Sequence, residues 1–465
     1  MELRTEAPVS GKRGVILFAL AVGGALLALL TVYVLPMGIV RLALMGLFAC
    51  LGALFGVAHP KYAVLAVVFY IFGGLTFYFP VNLAPPLLAL SLSGALVGFA
   101  RGDAVQLRTR MFNWVLAFFL LIVLSSFTYA HDLRYATTSL TIFLKSMVVL
   151  VLLVQFLRVP RDLQLLMAAI FLGTMTTIFL GILFPGVGVE RESKILGTVS
   201  WMRFAGARAD ANVSAVYLIA ALPMAAYAMR LWTGKLARVL IAGGIVLILL
   251  AVVFTFSRAA VFPLAIIGIV LMIRDVRNRW VNGSIIAIIV TALALTPQFY
   301  LFRLQTLGNL FSRSNQDWSI FLRVKALRTA WEMFLDHPFT GVGLNNFTVR
   351  SSPDMFVRIP VHNVYLEILV GVGLFGLAAY LLLQLCGFVE YLRVRRAPWK
   401  PEHEWMRHIG FYLLISHLAA LIGGLFLSLP FAYVIWIPLA GLLAAGRIAR
   451  RAERENGGNF DHAQG

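Results

Sequence analysis

Residues 318–347, WSIFLRVKALRTAWEMFLDHPFTGVGLNNF, form the longest stretch of this chain that reads neither as a membrane span nor as a simple connector. Apolar residues at Ile320, Val324, Leu327, Trp331 and Phe334 recur at the three-to-four spacing of one helical face, with Arg323, Lys325 and Arg328 elsewhere on the cylinder. The pattern predicts an amphipathic helix over 318–335, too charged to cross a bilayer. Pro338 cannot continue it and biases His337 away from the α region, so the imidazole is expected at the helix's C-terminal end. A glycine-rich turn through Gly341 and Gly343 then leads to Asn345 and Asn346. The rest of the chain reads as the scaffold for this stretch.

That scaffold is a membrane protein. Of the 465 residues, 61% are hydrophobic and only 13% charged, a balance no soluble domain of this size requires. Apolar runs long enough to cross roughly 30 Å of hydrocarbon as helices recur along the whole length. None alternates with period two, which argues against a β-barrel. Spans are expected near 14–35, 38–57, 62–79, 83–100, 112–129, 138–157, 163–185, 212–229, 239–256, 259–273, 281–297, 362–389, 408–428 and 430–446. The expected fold is therefore all-α and polytopic, with about 12 and up to 14 transmembrane helices. Residues 1–297 carry most of the spans and a loop near 185–211; 298–361 form a large outer loop with amphipathic helices; 362–446 carry the last spans; 447–465 read as a polar, disordered tail.

The formal charge is +19, which in a soluble chain would suggest nucleic acid. Here the cations sit mainly in short loops after every second span, among them Arg158, Arg161, Arg230, Arg238, Arg274, Arg393 and Arg396, as the positive-inside rule asks. Those loops, and both termini, are expected to be cytoplasmic. Lys12 and Arg13 precede an apolar run that continues to about Val34, the pattern of an uncleaved first span. Cys50 and Cys386 both fall inside expected spans and are assigned no chemistry. The chain shows no internal repeat and no acidic residue in the middle of a span, which weighs against an ion-coupled glycan or lipid transporter.

The two long connectors on the opposite face carry surplus positive charge that topology does not require. Arg191, Lys194 and Arg203 lie in the first, and Arg258 sits at the outer junction of two spans in FTFSRAAVF. A guanidinium suits bidentate phosphate binding, so these four are candidate ligands for an anion, with snorkelling to headgroups the plainer reading of Arg258. His337 is the candidate general base because its proline and helix hold it in place, although Asp336 and the helix C-terminus would favour its imidazolium form. His362 opens the span HNVYLEILVGVGLFG and reads first as a helix-entry cap, with catalysis second; Gly371, Gly373 and Gly376 read as sites of close helix packing. There is no metal-ligand cluster, phosphate-binding glycine loop or Gly-x-Ser-x-Gly sequence, so an enzyme here would work without metal or cofactor on a substrate that brings its own leaving group.

The segments RFAGARADANVSA, FTFSRAA, WEMFLDHPFTGVGLNNF and HNVYLEILVGVGLFG resemble the O-antigen ligase and O-antigen polymerase superfamily of bacterial inner-membrane glycosyltransferases, over roughly residues 190–380. The resemblance implies transfer of a glycan from undecaprenyl diphosphate on the periplasmic side, without metal or nucleotide. It implies an essential histidine at His337 and diphosphate-handling arginines at Arg191 and Arg258, with Arg203 beside them. Lys194 could add to that anion site, and Asp336, Asn346 and His362 could support it. The chain departs from the usual wording at Ala207–Ala211, before Asn212. Expected partners are the lipid-linked O-antigen donor, the lipid A-core acceptor and membrane lipids, and no nucleic acid. A polymerase, using a second lipid-linked glycan as acceptor, has the same motifs.

Overall fold

A computed structural model of the protein describes residues 58–77, 84–100, 110–184, 189–192, 201–206, 210–232, 234–274, 283, 318–351 and 359–461. In chain order the helices are α1 (Pro60–Phe72), α2 (Ala84–Ala100), α3 (Arg110–Ser125), α4 (Leu133–Phe156) and α5 (Pro160–Leu183). A two-stranded antiparallel ribbon follows, β1 (Val189–Glu192) paired with β2 (Trp201–Phe204). Then come α6 (Ala211–Leu231), α7 (Lys235–Phe254), α8 (Arg258–Arg274), α9 (Trp318–Asp336), a single helical turn at Phe347–Arg350, α10 (Val364–Arg396), α11 (Met406–Gly423) and α12 (Tyr433–Asp461). Among the described residues, eight helices are long and apolar enough to cross a membrane, and three shorter apolar ones accompany them. The expected spans at 14–35, 38–57 and 281–297 lie outside the described residues, Gly283 apart.

Helix starts follow side-chain chemistry. Asp132 caps α4 by accepting from Arg134 N, Asp210 caps α6 by accepting from Asn212 N and Val213 N, and Asn363 caps α10 by accepting from Tyr365 N and Leu366 N. Pro60 and Pro160 occupy first-turn positions, where a missing N–H costs nothing. Helix α6 packs against α5, α7, α8 and α11, and α12 against α4, α10 and α11, so these two helices form the centre of the bundle. An aromatic cluster fills the interior. Phe143 lies 4.9 Å from Phe431 and 5.6 Å from Trp436 between ring centroids, and the carbonyl of Pro430 accepts from both Tyr380 Oη and Trp436 Nε1.

The contacts sort the connections onto two ends. At one end Arg230 donates to Arg274 O, Arg447 to Leu157 O, Arg450 to both oxygens of Glu390, and Lys61 to Asp162. This basic end gathers the loops expected to be rich in arginine. The opposite, polar end holds the ribbon, the α3–α4, α7–α8 and α11–α12 turns, α9 and the start of α10.

The structure changes two expectations and adds detail to a third. Helix α12 continues to Asp461, so residues 447–461 are not the unstructured tail the polarity suggested; RIARRAEREN is rich in helix formers. Within the loop expected near 185–211, β1 and β2 form an extended ribbon and satisfy each other's backbone groups, with Glu190 opposite Arg203 and Arg191 opposite Met202. Finally, Gly373 is a break and not only a packing site. Its φ of 74° interrupts α10, leaving a first half at 364–372 and a second half from Leu374 to Arg396 that is itself long enough to span a bilayer.

Candidate active site at the polar end

The ribbon delivers Arg203 into the protein. Its side chain is buried, with Nε donating to Thr255 O at 2.8 Å and NH2 to Asn212 Oδ1 at 3.0 Å. Asn212 Oδ1 also accepts from Ser257 Oγ at 2.7 Å. One amide oxygen thus joins β2, the first turn of α6 and the α7–α8 junction. That junction is tight: Phe256 takes a left-handed φ of 47°, and α8 begins two residues later at Arg258. The backbone of Arg258 therefore starts a helix directly beside Ser257, and β1 carries Arg191 in the strand next to Arg203. Lys194 lies outside the described residues.

Asp210 connects this group to His362. The carboxylate that caps α6, two residues before Asn212, acts electrostatically on the His362 imidazole, and so does the Arg323 guanidinium from α9. Burial first and Arg323 second push the imidazole down to about 4, while Asp210 pulls the other way, so the ring is neutral at neutral pH and its free nitrogen can accept a proton. The backbone of His362 is held in a left-handed conformation with φ 58° by its N–H, which donates to Ser428 Oγ at 2.7 Å in the α11–α12 turn. Val364 N donates to Gly424 O at 2.7 Å and Asn363 Nδ2 to Leu425 O at 3.2 Å, fixing the start of α10 to the same turn. Glu367 lies one helical turn further on, with Oε2 buried and without a hydrogen-bond partner. The cluster therefore brings together a neutral histidine, an acid and arginines from the ribbon and α9, on elements far apart in sequence.

His337 is placed differently. It is exposed, just past the end of α9, with its N–H closing the last turn on Met333 O and Phe334 O. The following loop crosses α10 at its break: Val342 N donates to Val370 O, Gly343 N to Gly371 O, and Leu374 N to Pro338 O, at 2.8–3.0 Å. Gly341, at φ 71°, lies against the backbone of Gly371 and Val372, and a Cβ on Gly373 would strike Phe339 O. Between His362 and this crossing lie the nine residues 364–372, about 13 Å of helix. The two histidines thus belong to opposite ends of one half-helix. Asp336 is exposed beside His337. Asn346 is fully buried, and its amide is engaged by backbone: Oδ1 accepts from Asp132 N, and Nδ2 donates to Asp132 O and Leu344 O.

Reading the sequence found Arg203, Arg258, Arg191 and His362 as members of one face, and left the parts of Asp210 and Asn212 open. It treated Arg323 only as a charge on a helix and passed over Glu367, Ser257 and Ser428. The motif FTFSRAA contained Ser257 next to Arg258, which was the available signal for that residue. Nothing in the local pattern of Ser428 marks it, because its role comes from the turn it shares with His362. All three non-glycine residues with positive φ among those described, Phe256, Asn345 and His362, lie at this end.

A bundle of helices long and apolar enough to cross a membrane, with a cluster of polar groups and strained backbone at one end, defines a multi-pass membrane protein. The family model described as O-antigen ligase matches residues 243–381, from within α7 to the second half of α10, and so takes in Arg258, Arg323, His337 and His362. The matched stretch is under a third of the chain and agrees with the O-antigen ligase and polymerase superfamily that the motifs resemble. No curated protein matches the chain.

Proposed function

We propose that this chain is an O-antigen ligase of the bacterial inner membrane, moving a glycan from undecaprenyl diphosphate to a sugar hydroxyl of lipid A-core. The observation that carries the reading is a neutral His362 acted on by both Asp210 and Arg323, with Arg203 hydrogen-bonded to Asn212 two residues beyond Asp210. The basic end of the bundle fits the cytoplasmic side by the positive-inside rule, which leaves the cluster facing the periplasm, where a lipid-linked donor and acceptor both reach it from the bilayer.

The donor carries its own leaving group, so the protein must stabilise charge and take up one proton. Arg203 and Arg323, with Arg258 and Arg191 on adjacent backbone, supply positive potential for the diphosphate as its bond to the anomeric carbon breaks. His362 accepts the proton of the acceptor hydroxyl while that oxygen forms the new bond to the anomeric carbon, with inversion, and undecaprenyl diphosphate leaves as the anion. A histidine held down to about 4 is a weak base in the empty site. A bound diphosphate offsets Arg323 and raises it, so the base strengthens when the donor is in place.

The sequence pointed to His337 as base; the geometry supports His362 better, since only His362 shares a site with the acid and the arginines. The test is transfer by purified protein in lipid nanodiscs supplied with both lipid-linked substrates. His362→Ala is expected to lower the rate about 10²- to 10⁴-fold and His337→Ala less than about tenfold. The reverse ranking returns the role to His337, and wild-type transfer by both variants overturns the mechanism. A deletion strain separates ligase from polymerase: finished polymer retained on its carrier fits the ligase, and single repeat units on the core fit the polymerase.

A further inference from the structure

Helix α9 has three faces, and among the described residues one of them packs into the hydrophobic interior. Ala326 and Ala330, with Met333 beside them, pack against Val370, Leu366 and Val361 at the first half of α10. Small side chains allow that close approach. The charged stripe holds Lys325 and the exposed pair Arg328–Glu332, 2.9 Å apart. Between them runs the bulky stripe that first marked the helix in the sequence. It faces outward: Trp331 is 50% exposed and Leu335 59%, with Val324 and Leu327 also open.

This stripe does not end with the helix. Past the His337–Pro338 turn, Phe339 is 61% exposed and stacks on Phe375, which is 52% exposed, with ring centroids 5.8 Å apart. Phe375 and Leu374 begin the second half of α10, whose outward residues Leu381, Leu385 and Phe388 form the wall of a membrane-crossing helix. The apolar surface of α9 is therefore continuous with a surface that hydrocarbon must cover. An indole at its middle and charges along one edge are the composition of a helix lying at a bilayer interface.

We propose that the Val324–Leu335 stripe of α9, together with Phe339, is a bilayer-docking surface that seats this helix in the outer interfacial region of the membrane. Docking fixes the depth of α9, and with it the height of Arg323, which lies on the protein-facing side of the same helix and acts on His362. The occupant is lipid rather than a second protein because, past the exposed Asp336–His337 turn, the stripe is carried on by Phe339 and Phe375 into the outward face of the membrane-crossing second half of α10.

The inference is independent of the reaction assigned above and is tested by spin-label accessibility. Trp331→Cys, Leu335→Cys and Arg328→Cys are labelled singly, in the full chain with Cys50 and Cys386 replaced by alanine. The protein is reconstituted in vesicles of phosphatidylethanolamine and phosphatidylglycerol. Labels at 331 and 335 are expected to collide severalfold more with oxygen than with an aqueous nickel chelate, and the label at 328 to show the opposite preference. Ready access of the nickel chelate to 331 and 335 overturns the proposal by placing the stripe in water. Shielding of both positions from both reagents overturns it in favour of a second copy or another segment of this chain. Val324→Cys serves as the replacement position if either label prevents folding, and is held to the same outcomes.

Discussion

At the basic end of the bundle buried charged side chains answer one another, whereas at the polar end a cation and an acid, Arg323 and Asp210, act on a neutral histidine. Glu390 is buried and receives Arg450 on both oxygens and Arg393 on one, each at 2.8 Å; Asp162 receives Lys61 at 2.9 Å and two backbone N–H groups. Backbone there is regular, with no positive-φ non-glycine residue among those described. At the polar end Arg203 donates to a neutral carbonyl and a neutral amide, His362 is strained and held uncharged, and Asp210 divides its carboxylate between a helix cap and the imidazole. Ion pairs that complete each other stabilise and orient a bundle. At the polar end the acid and the cation that act on His362 leave it neutral, and its left-handed backbone costs stability in the empty state.

The largest effect that can break this contrast is on activity. Arg203→Met removes a donor directed into the cluster and is expected to lower transfer about 10²- to 10³-fold, with the protein still folded in the membrane. Unchanged transfer would reduce Arg203 to a strut between β2 and the α7–α8 junction. At the other end the expected effect is on stability alone. Glu390→Ala leaves Arg393 and Arg450 facing each other, at a cost of roughly 2–3 kcal/mol once their partial exposure is allowed for. Thermal unfolding in detergent should record that loss, while the transfer rate per folded molecule stays at the wild-type level. Gly373→Ala probes the boundary between α9 and α10: the unfavourable φ and the collision with Phe339 O should cost about 1–3 kcal/mol and loosen the loop from Pro338 to Gly343. Greater protease sensitivity of that loop is the readout.

How far each part could be read from sequence follows from how local its cause is. The spans were legible because an apolar run of sufficient length has one stable home, and α3 to α8 and α10 to α12 fall close to the positions expected. The bulky stripe of α9 was legible as a stripe, but not its surroundings, since the alanines that decide which face packs carry little hydrophobic signal. Gly373 was visible as a glycine, while its break depends on a loop some thirty residues earlier donating and accepting across it. His362 looked like a cap because its neighbours in sequence are a cap and a span. Its lowered proton affinity comes from burial first and from Arg323, some 40 residues away, second, against the opposing pull of Asp210 some 150 residues away, and no local spacing reveals them.

The smallest effect expected is a shift in pH dependence, and it bears most directly on the comparison. A base must be neutral to act, so activity is lost as pH falls through the histidine's pKa. In the free protein that pKa lies at about 4, lowered by burial and then by Arg323. The acid limb of kcat/KM, which reports the free enzyme, should therefore lie below that of kcat, which reports the complex carrying the diphosphate. Arg323→Gln removes a cation that disfavours the imidazolium, so the acid limb of kcat/KM should move to higher pH, toward the ordinary histidine value. Burial remains in that variant, so the limb should stop short of it. Arg328→Gln, on the exposed side of the same helix and paired with Glu332, should leave the limb where it is. If both variants move it alike, the field at His362 comes from the overall charge of the outer face, and the cluster is not the local device that its contacts describe.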